Sequence, residues 1–135
     1  MRERVAGYLA DTSVFVAAEQ RRPLGEPPRG EARISVATLT ELGVGTRLAA
    51  TEDLRRVRQT TLACARRFVP LPYDELVASR LADLLAAARS QNRRAGAMDA
   101  IIAATALVHD LEVWTQDDDF GVLAELDPGL RVVRG

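Results

Sequence analysis

The 135-residue sequence contains no lysine, and all 18 of its lysine-or-arginine positions are arginine. This absence excludes Schiff-base chemistry, the phosphate-binding lysine of a P-loop and the lysine of phosphoacceptor receiver domains. His109 is the single histidine, which excludes acid–base catalysis by a pair of imidazoles. If the protein is an enzyme, we expect its catalytic groups to be carboxylates and metal ions.

Cysteine, aromatic residues and long apolar runs are also scarce. Cys64 is the single cysteine, so no internal disulfide can form, and its position in an amphipathic stretch predicts a small buried side chain. Three phenylalanines, two tyrosines and one tryptophan form no pattern of base-stacking residues. No run is long enough to span a membrane, and the first residues lack the apolar core of a secretory leader. We therefore expect a cytoplasmic protein that does not interact with a membrane.

The composition, with 47% hydrophobic and 27% charged residues, is typical of a folded globular protein, and the length predicts one domain over residues 1–135. Short apolar segments alternate with stretches of helical periodicity, which predicts an α/β fold with helices on both faces of a parallel sheet. Residues 21–32 are polar and rich in proline and glycine, and they predict a loop within the domain. The predicted strands are residues 5–10, 34–36, 68–69, 111–115 and 130–133, with Pro70 and Pro72 in the turn after the third.

Four carboxylates follow the strands of this predicted sheet. Asp11 comes directly after the first strand and Asp117 after the fourth, Glu41 lies in the first turn of the helix after the second strand, and Asp99 begins a buried helix. The carboxyl ends of parallel strands share one edge of a sheet, where ligands bind in such folds. Four carboxylates that converge there repel one another unless protons or cations compensate, and Mg²⁺ or Mn²⁺ with oxygen ligands is the natural compensation.

Helix capping is the favoured interpretation for Asp11, Asp99 and Asp117 taken singly, and for Glu41 capping and a metal site are equally favoured. All four stand at predicted helix N-termini, where a carboxylate stabilises free amide groups and meets the positive end of the dipole. Thr38 and Glu41 also have the Thr-x-x-Glu spacing of a capping box. Convergence of all four acids on one sheet edge is what favours a metal site.

Basic residues precede the third of these acids. Arg89, Arg93 and Arg94 lie just ahead of Asp99 and are candidates for contacts to RNA phosphates, although a solvated helix end with basic residues suited to its dipole is an equally good interpretation. For His109, a place in the core or at the end of the buried helix is favoured over metal ligation.

Four segments of the sequence resemble those of PIN domains, and specifically of the VapC toxins of bacterial VapBC toxin–antitoxin pairs. They are LADTSV at 9–14, SVATLTEL at 35–42, MDAIIAATA at 98–106 and VWTQDDDF at 113–120. The resemblance implies a three-layer α/β/α domain with a central parallel sheet of about five strands. It also implies a ribonuclease dependent on Mg²⁺ or Mn²⁺ that leaves 5′-phosphate and 3′-hydroxyl ends. A VapB-like antitoxin that covers the acidic site and a toxin homodimer are implied as partners.

Carried over residue by residue, the resemblance makes the four acids the catalytic and metal-binding set, with second-sphere residues that orient carboxylates or water. The four acids are Asp11, Glu41, Asp99 and Asp117, and the second-sphere residues are Thr12, Ser13, Thr115 and Asp119. This chain has Asp118 where the family often has a basic residue, so the choice between Asp117 and Asp119 as fourth ligand stays open.

Two alternatives remain at this point. One is a noncatalytic PIN-like module that binds a metal or a partner without cleaving RNA. The other is a toprim-like nuclease, which would need Asp117 and Asp119 and would tolerate the loss of Asp99.

Overall fold

The structure, a computed structural model, describes residues 7–135, so Val5 and Ala6 of the predicted first strand lie outside the described residues. The strands are β1 (Gly7–Ala10), β2 (Glu31–Ser35), β3 (Val69–Leu71), β4 (Glu112–Thr115) and β5 (Val132–Arg134). The helices are α1 (Thr12–Glu19), α2 (Val36–Arg47), α3 (Glu52–Ala65), α4 (Glu75–Ser90), α5 (Ala97–His109) and α6 (Gly121–Leu126). Within these residues no helix is long and apolar enough to cross a membrane.

Over the described residues, the five strands form one sheet in the order β3-β2-β1-β4-β5, and every neighbouring pair is parallel. β1 is central, with Leu9 opposite Arg33 of β2 on one side and Val113 of β4 on the other. The predicted parallel sheet is therefore confirmed. Because β1 and β4 are neighbours, the residues that follow them emerge side by side at the carboxyl edge.

Helices cover both faces of the sheet, which confirms the three-layer α/β/α fold. On one face α4, α5 and α6 contribute Leu84, Ile102 and Leu123 to a core that also contains Val113 of β4. The helix α5 carries six buried residues, as its apolar sequence predicts. The opposite face has a separate core, which contains Val14, Phe15, Ile34, Leu42 and Trp114.

The observed bounds of β2, β3, β4 and β5 differ from the predicted ones by up to three residues. β2 begins at Glu31, so the predicted loop over residues 21–32 ends two residues earlier than expected. Pro70 was expected in a turn but lies inside β3, opposite Ile34 of β2. β3 is an edge strand, where proline is tolerated because one side of the strand needs no hydrogen-bond donor.

The prediction that Cys64 is buried was wrong, because this side chain is exposed. It belongs to α3, a helix on the outside of the fold in which Ala65 alone of residues 52–65 is buried. The amphipathic periodicity identified the helix correctly, but a lone cysteine on such a helix can occupy either face.

Candidate active site

The four predicted acids are placed by four different elements at the carboxyl edge of the sheet. Asp11 follows β1 directly and is the N-cap of α1, while Asp117 comes two residues after the end of β4. Glu41 lies in the second turn of α2, and Asp99 lies in the first turn of α5. The structure therefore brings together side chains that are up to about a hundred positions apart in the chain.

Asp11 is 2% exposed and is held by hydroxyl groups. Its Oδ2 accepts hydrogen bonds from Ser13 Oγ at 2.7 Å, from Thr115 Oγ1 at 2.9 Å and from the Ser13 amide at 3.3 Å. Within residues 7–135 all of its side-chain hydrogen bonds fall on this one oxygen, so the other oxygen, Oδ1, remains available as a ligand. The amide contact is the predicted cap, which means that Asp11 caps α1 and also belongs to the acidic site.

The same hydroxyl groups connect Asp11 to the segment that follows β4. Ser13 Oγ accepts from the Gln116 amide at 2.9 Å, and Thr115 Oγ1 accepts from the Asp117 amide at 3.0 Å. The two hydroxyl oxygens are 3.1 Å apart and both residues are buried. The backbone that presents Asp117 is thereby fixed relative to Asp11.

Glu41 is positioned by Thr12, whose Oγ1 donates to Glu41 Oε1 at 2.7 Å. The predicted capping box of Thr38 and Glu41 was wrong, because α2 starts at Val36 and Ser35 is its N-cap. Thr38 is instead fully buried, with its Oγ1 3.1 Å from Thr12 Oγ1. Glu41 is thus held by a residue of another helix, α1, rather than by its own helix start.

Asp99 also does not act as a helix cap. The N-cap of α5 is Gly96, and this helix start has no side-chain cap hydrogen bond. Partial burial, followed by the negative charges of Asp11, Asp119, Glu41 and Asp117, raises the pKa of Asp99 from 3.8 to about 6. Asp99 is therefore in electrostatic contact with the other acids of the site.

The pKa values of Glu41 and Asp117 are raised as well. For both carboxyl groups burial is the largest cause, and Asp11 and Asp119 add repulsion. The hydrogen bond from Thr12 partly offsets the increase at Glu41, and Arg22 and Arg134 partly offset it at Asp117. Burial and repulsion between neighbouring carboxylates both favour the protonated form, so the shifts show that these acids lie close together at a partly buried site.

The three consecutive aspartates after β4 have different surroundings. The charges of Asp117 and Asp119 act on the other acids, whereas Asp118 is exposed and forms an ion pair of 2.6 Å with Arg134. Asp119 therefore belongs to the cluster together with Asp117. Sequence reasoning gave Asp119 only a secondary place and did not single out Arg22, since no local pattern shows which charges face the site.

The donor set fits a hard divalent cation in its chemistry. Within the described part of the chain no three His, Cys, Asp or Glu side chains converge tightly enough to form a ready-made metal site. The acids nevertheless supply carboxylate oxygens, which Mg²⁺ and Mn²⁺ prefer as ligands. Burial and mutual repulsion raise the pKa values of Glu41, Asp99 and Asp117, and a bound cation would relieve that repulsion.

The predicted phosphate-contacting arginines lie where α4 leads into α5. Arg89 is in the last turn of α4, and Arg93 and Arg94 are in the connection to the helix that carries Asp99. Arg89 and Arg94 are exposed, whereas Arg93 forms an ion pair with Glu125 of α6. His109 lies in the last turn of α5, at the opposite end of this helix from Asp99, so its position at the end of the buried helix is confirmed.

The chain is similar to proteins of known family over nearly its whole length. Residues 8–126 match the PIN domain family. The chain is 43% identical over 121 residues to Ribonuclease VapC5 of Mycobacterium tuberculosis, with 87% of each chain covered. It is 37% identical over 122 residues to Ribonuclease VapC4 of the same organism, covering 88% of this chain and 92% of that protein.

A solved structure with the same fold is a member of the VapBC family of toxin-antitoxin systems, VapBC-5, from Mycobacterium tuberculosis. The superposition has a TM-score of 0.80 with 36% sequence identity, and it covers 96% of this chain and 99% of that chain. The similarity therefore extends through all layers of the fold, including the elements that carry the acids.

Proposed function

Because the chain belongs to the PIN domain family and is related to the VapC ribonucleases over most of its length, we propose that it is a VapC-like toxin. In this proposal it is a metal-dependent endoribonuclease that hydrolyses RNA phosphodiesters to 5′-phosphate and 3′-hydroxyl ends. The observation that carries the proposal is the electrostatic coupling of Asp99 to four other acids from three different elements, with a pKa raised to about 6. Such perturbed pKa values cluster at functional sites.

Asp11, Glu41, Asp99 and Asp117 would hold Mg²⁺ or Mn²⁺, with Asp119 as a further acid at the same edge. Asp11 would contribute Oδ1, since Oδ2 is already occupied by hydroxyl and amide donors. A divalent cation bound there would activate a water for attack and compensate the charge that develops on the phosphate. No imidazole is required for this chemistry.

The hydroxyl residues around the acids would keep the carboxylates in position. Ser13 and Thr115 restrict rotation of the Asp11 carboxylate, and Thr12 orients Glu41 through its hydrogen bond of 2.7 Å. Outer-sphere partners of this kind hold ligating carboxylates in one orientation, so substrate binding does not have to rearrange them.

The position of Asp99 favours this proposal over the toprim-like alternative. That alternative needs Asp117 and Asp119 but tolerates the loss of Asp99, whereas burial and the charges of the other acids together raise the pKa of Asp99 to about 6. An intact set of acids also disfavours the noncatalytic PIN-like module, because a domain that has lost RNA cleavage would not need all of the catalytic carboxylates.

The proposed partners are RNA, a VapB-like antitoxin and a second copy of the toxin. Relatives named as VapBC toxin–antitoxin systems support the antitoxin. Physically, a basic side chain of the antitoxin would neutralise the same charge that a cation does. Arg89 and Arg94 are proposed to contact RNA phosphates beside Asp99, and the homodimer and the cytoplasmic location stay predictions from the sequence.

The proposal is tested by incubating the purified, antitoxin-free protein with total bacterial RNA in Mg²⁺, in Mn²⁺ and with EDTA. We expect discrete cuts with either metal and none with EDTA. Asp99→Asn should abolish the cuts, whereas Asp118→Asn, at an exposed neighbour paired with Arg134, should retain them. Equal cleavage by the Asp99→Asn variant would refute the proposed site.

A further inference from the structure

A cavity of about 200 Å³ opens beside the acidic cluster, between α1, α2 and α3. Its lining includes Thr12 and Glu41, the pair joined by the 2.7 Å hydrogen bond. A group that enters this cavity therefore lies directly against one of the proposed catalytic carboxylates. In a ribonuclease the two nucleotides joined by the reacting phosphate lie next to these carboxylates, and the base of either can enter such a cavity.

The walls of the cavity suit a flat, partly apolar ligand. Val16 of α1 and Leu42 of α2 supply apolar surface, and Leu42 is fixed in the core. Sites for small planar groups typically combine apolar walls with a small number of well-placed polar groups. Single-stranded RNA presents such groups, because its unstacked bases can turn outward into protein pockets.

Two charged side chains of opposite sign supply the polar groups. Glu19 lies at the end of α1 and accepts at Oε1 from Thr61 Oγ1 at 2.8 Å, while Arg58 of α3 donates from Nη1 to the Gly45 carbonyl at 2.7 Å. Both line the cavity and both are partly buried. Each contact uses one atom of the charged group and holds the side chain in place. Oε2 of Glu19 and Nη2 of Arg58 make no hydrogen bond within residues 7–135, so they remain available to a ligand.

A fixed carboxylate and a fixed guanidinium together complement guanine. A carboxylate accepts from the N1–H and the 2-amino group of guanine, and a guanidinium donates to its O6 and N7 acceptors. Adenine, cytosine and uracil do not carry two adjacent donors beside two adjacent acceptors. We propose that the cavity binds a guanine base next to the scissile phosphate and that Glu19 and Arg58 determine this specificity. The inference rests on the proposed ribonuclease function.

The test measures base preference by internal competition. The protein is incubated with Mn²⁺ and an oligoribonucleotide library randomised around the cut, and the cut molecules are sequenced. The wild-type protein should prefer guanine at one position beside the cut. Glu19→Gln and Arg58→Gln should each reduce that preference at least about fivefold, the lower limit for losing one well-formed base contact. Because preference is a ratio within one sample, a smaller amount of folded enzyme does not change it.

Arg56→Gln is the matched control. Arg56 lies on the same helix as Arg58, is exposed, and approaches Glu52 at 4.0 Å rather than the cavity. This variant should keep the wild-type guanine preference, which separates the loss of a specific contact from the loss of one positive charge on α3.

Substrates with inosine in place of the preferred guanine test the contact to the carboxylate. Inosine lacks the 2-amino group, so the wild-type protein should cut it more slowly by at least about fivefold. In Glu19→Gln the same replacement should have little further effect, because the acceptor of that amino group is already weakened.

Three results would overturn the inference, and they differ in whether they also refute the proposed ribonuclease function. Cleavage by the wild type with no base preference, or with a preference unchanged in both variants, refutes the guanine pocket and leaves the ribonuclease intact. Variants that lose affinity for a co-expressed antitoxin but keep the base preference assign the cavity to the antitoxin instead. A folded wild-type protein that cuts no RNA in either metal refutes the proposed function and the pocket with it.

Discussion

Thr115, the last residue of β4, donates a hydrogen bond of 2.9 Å to Oδ2 of Asp11, which follows β1 directly. Both side chains are buried, and the bond connects positions 104 residues apart. It forms because β1 and β4 are neighbours in the sheet, with Ala10 opposite Trp114. The order of the strands in the sheet therefore determines which side chains meet at the acidic site.

Replacing Thr115 by valine should impair catalysis more than folding. Valine keeps the shape of the side chain but removes the donor to Asp11 and the acceptor for the Asp117 amide. We expect the rate of RNA cleavage to fall by about 10- to 100-fold and the free energy of unfolding to fall by about 1–3 kcal/mol.

Thr115→Ser is the matched control, because serine retains the hydroxyl group. It should restore most of the cleavage rate in the same assay, with denaturant unfolding measured in parallel. A valine variant as active as the wild type would show that Thr115 does not position Asp11.

The stability of the metal-free protein should decrease as the pH rises from about 4 to about 6. Asp99 has a pKa of about 6 in the folded protein against 3.8 ordinarily, so the folded state binds more protons than the unfolded state in this range. Raised pKa values at Glu41 and Asp117 act in the same direction.

Thermal unfolding in EDTA at a series of pH values measures this slope. Asp99→Asn should flatten it and should raise the melting temperature near neutral pH, because a neutral amide removes repulsion from the cluster. A melting temperature of the wild type that rises steadily over the same range would contradict the assigned coupling.

Mg²⁺ and Mn²⁺ should stabilise the folded protein, since they bind the folded site and not the unfolded chain. At a metal concentration 100 times the Kd the stabilisation is about 2.7 kcal/mol. Protons compete for the same carboxylates, so the metal-induced shift in melting temperature should be smaller at pH 5.5 than at pH 7.5.

Asp11→Asn and Asp99→Asn should lose most of this metal-induced shift, and Asp118→Asn should keep it. The measurement needs no RNA and therefore separates metal binding from catalysis. An unchanged shift in both acid variants would place the metal elsewhere on the protein.

Arg89 and Arg94 should contribute to RNA affinity through phosphate contacts. In an Asp99→Asn background, which prevents cleavage, Arg89→Gln or Arg94→Gln should reduce the slope of log affinity against log salt by about one each. Arg93 should contribute less, because its ion pair with Glu125 competes with phosphate. Arg56→Gln serves as the control, and equal slopes in all variants would leave these arginines without a role in binding.

The sequence predicted the layers of this fold because the relevant signals are local. The apolar segment that ends at Ala10 and the all-round apolar helix around Ile102 show their burial in their own composition. Strand order is a long-range property, and no periodicity placed β1 between β2 and β4. Cys64 and Pro70 were misplaced for a related reason, since the exposed face of α3 and the edge position of β3 are set by the rest of the sheet.

In the candidate site too, local sequence signals predicted some features, and long-range contacts determined the others. Asp11, Glu41 and Asp117 could be placed at one edge from their positions after predicted strands, whereas the alternation of strands and helices did not fix the position of Asp99. The hydrogen-bond partner of Glu41 could not be predicted from the sequence. The spacing of Thr38 and Glu41 favoured a capping box, whereas the hydrogen bond comes from Thr12 of a different helix. Capping and catalytic signals use the same residue types, and only tertiary contacts distinguish them.

The chemistry of the RNA ends tests the central claim most directly. The wild-type protein is given a defined RNA that it cuts in Mg²⁺ or Mn²⁺, and both new ends are identified by mass spectrometry and by ligation that requires a 5′ phosphate. Attack by water activated at the acidic site predicts a 5′ phosphate and a 3′ hydroxyl at every cut. A 2′,3′-cyclic phosphate with a 5′ hydroxyl would mean attack by the 2′ hydroxyl of the RNA, and it would contradict the account.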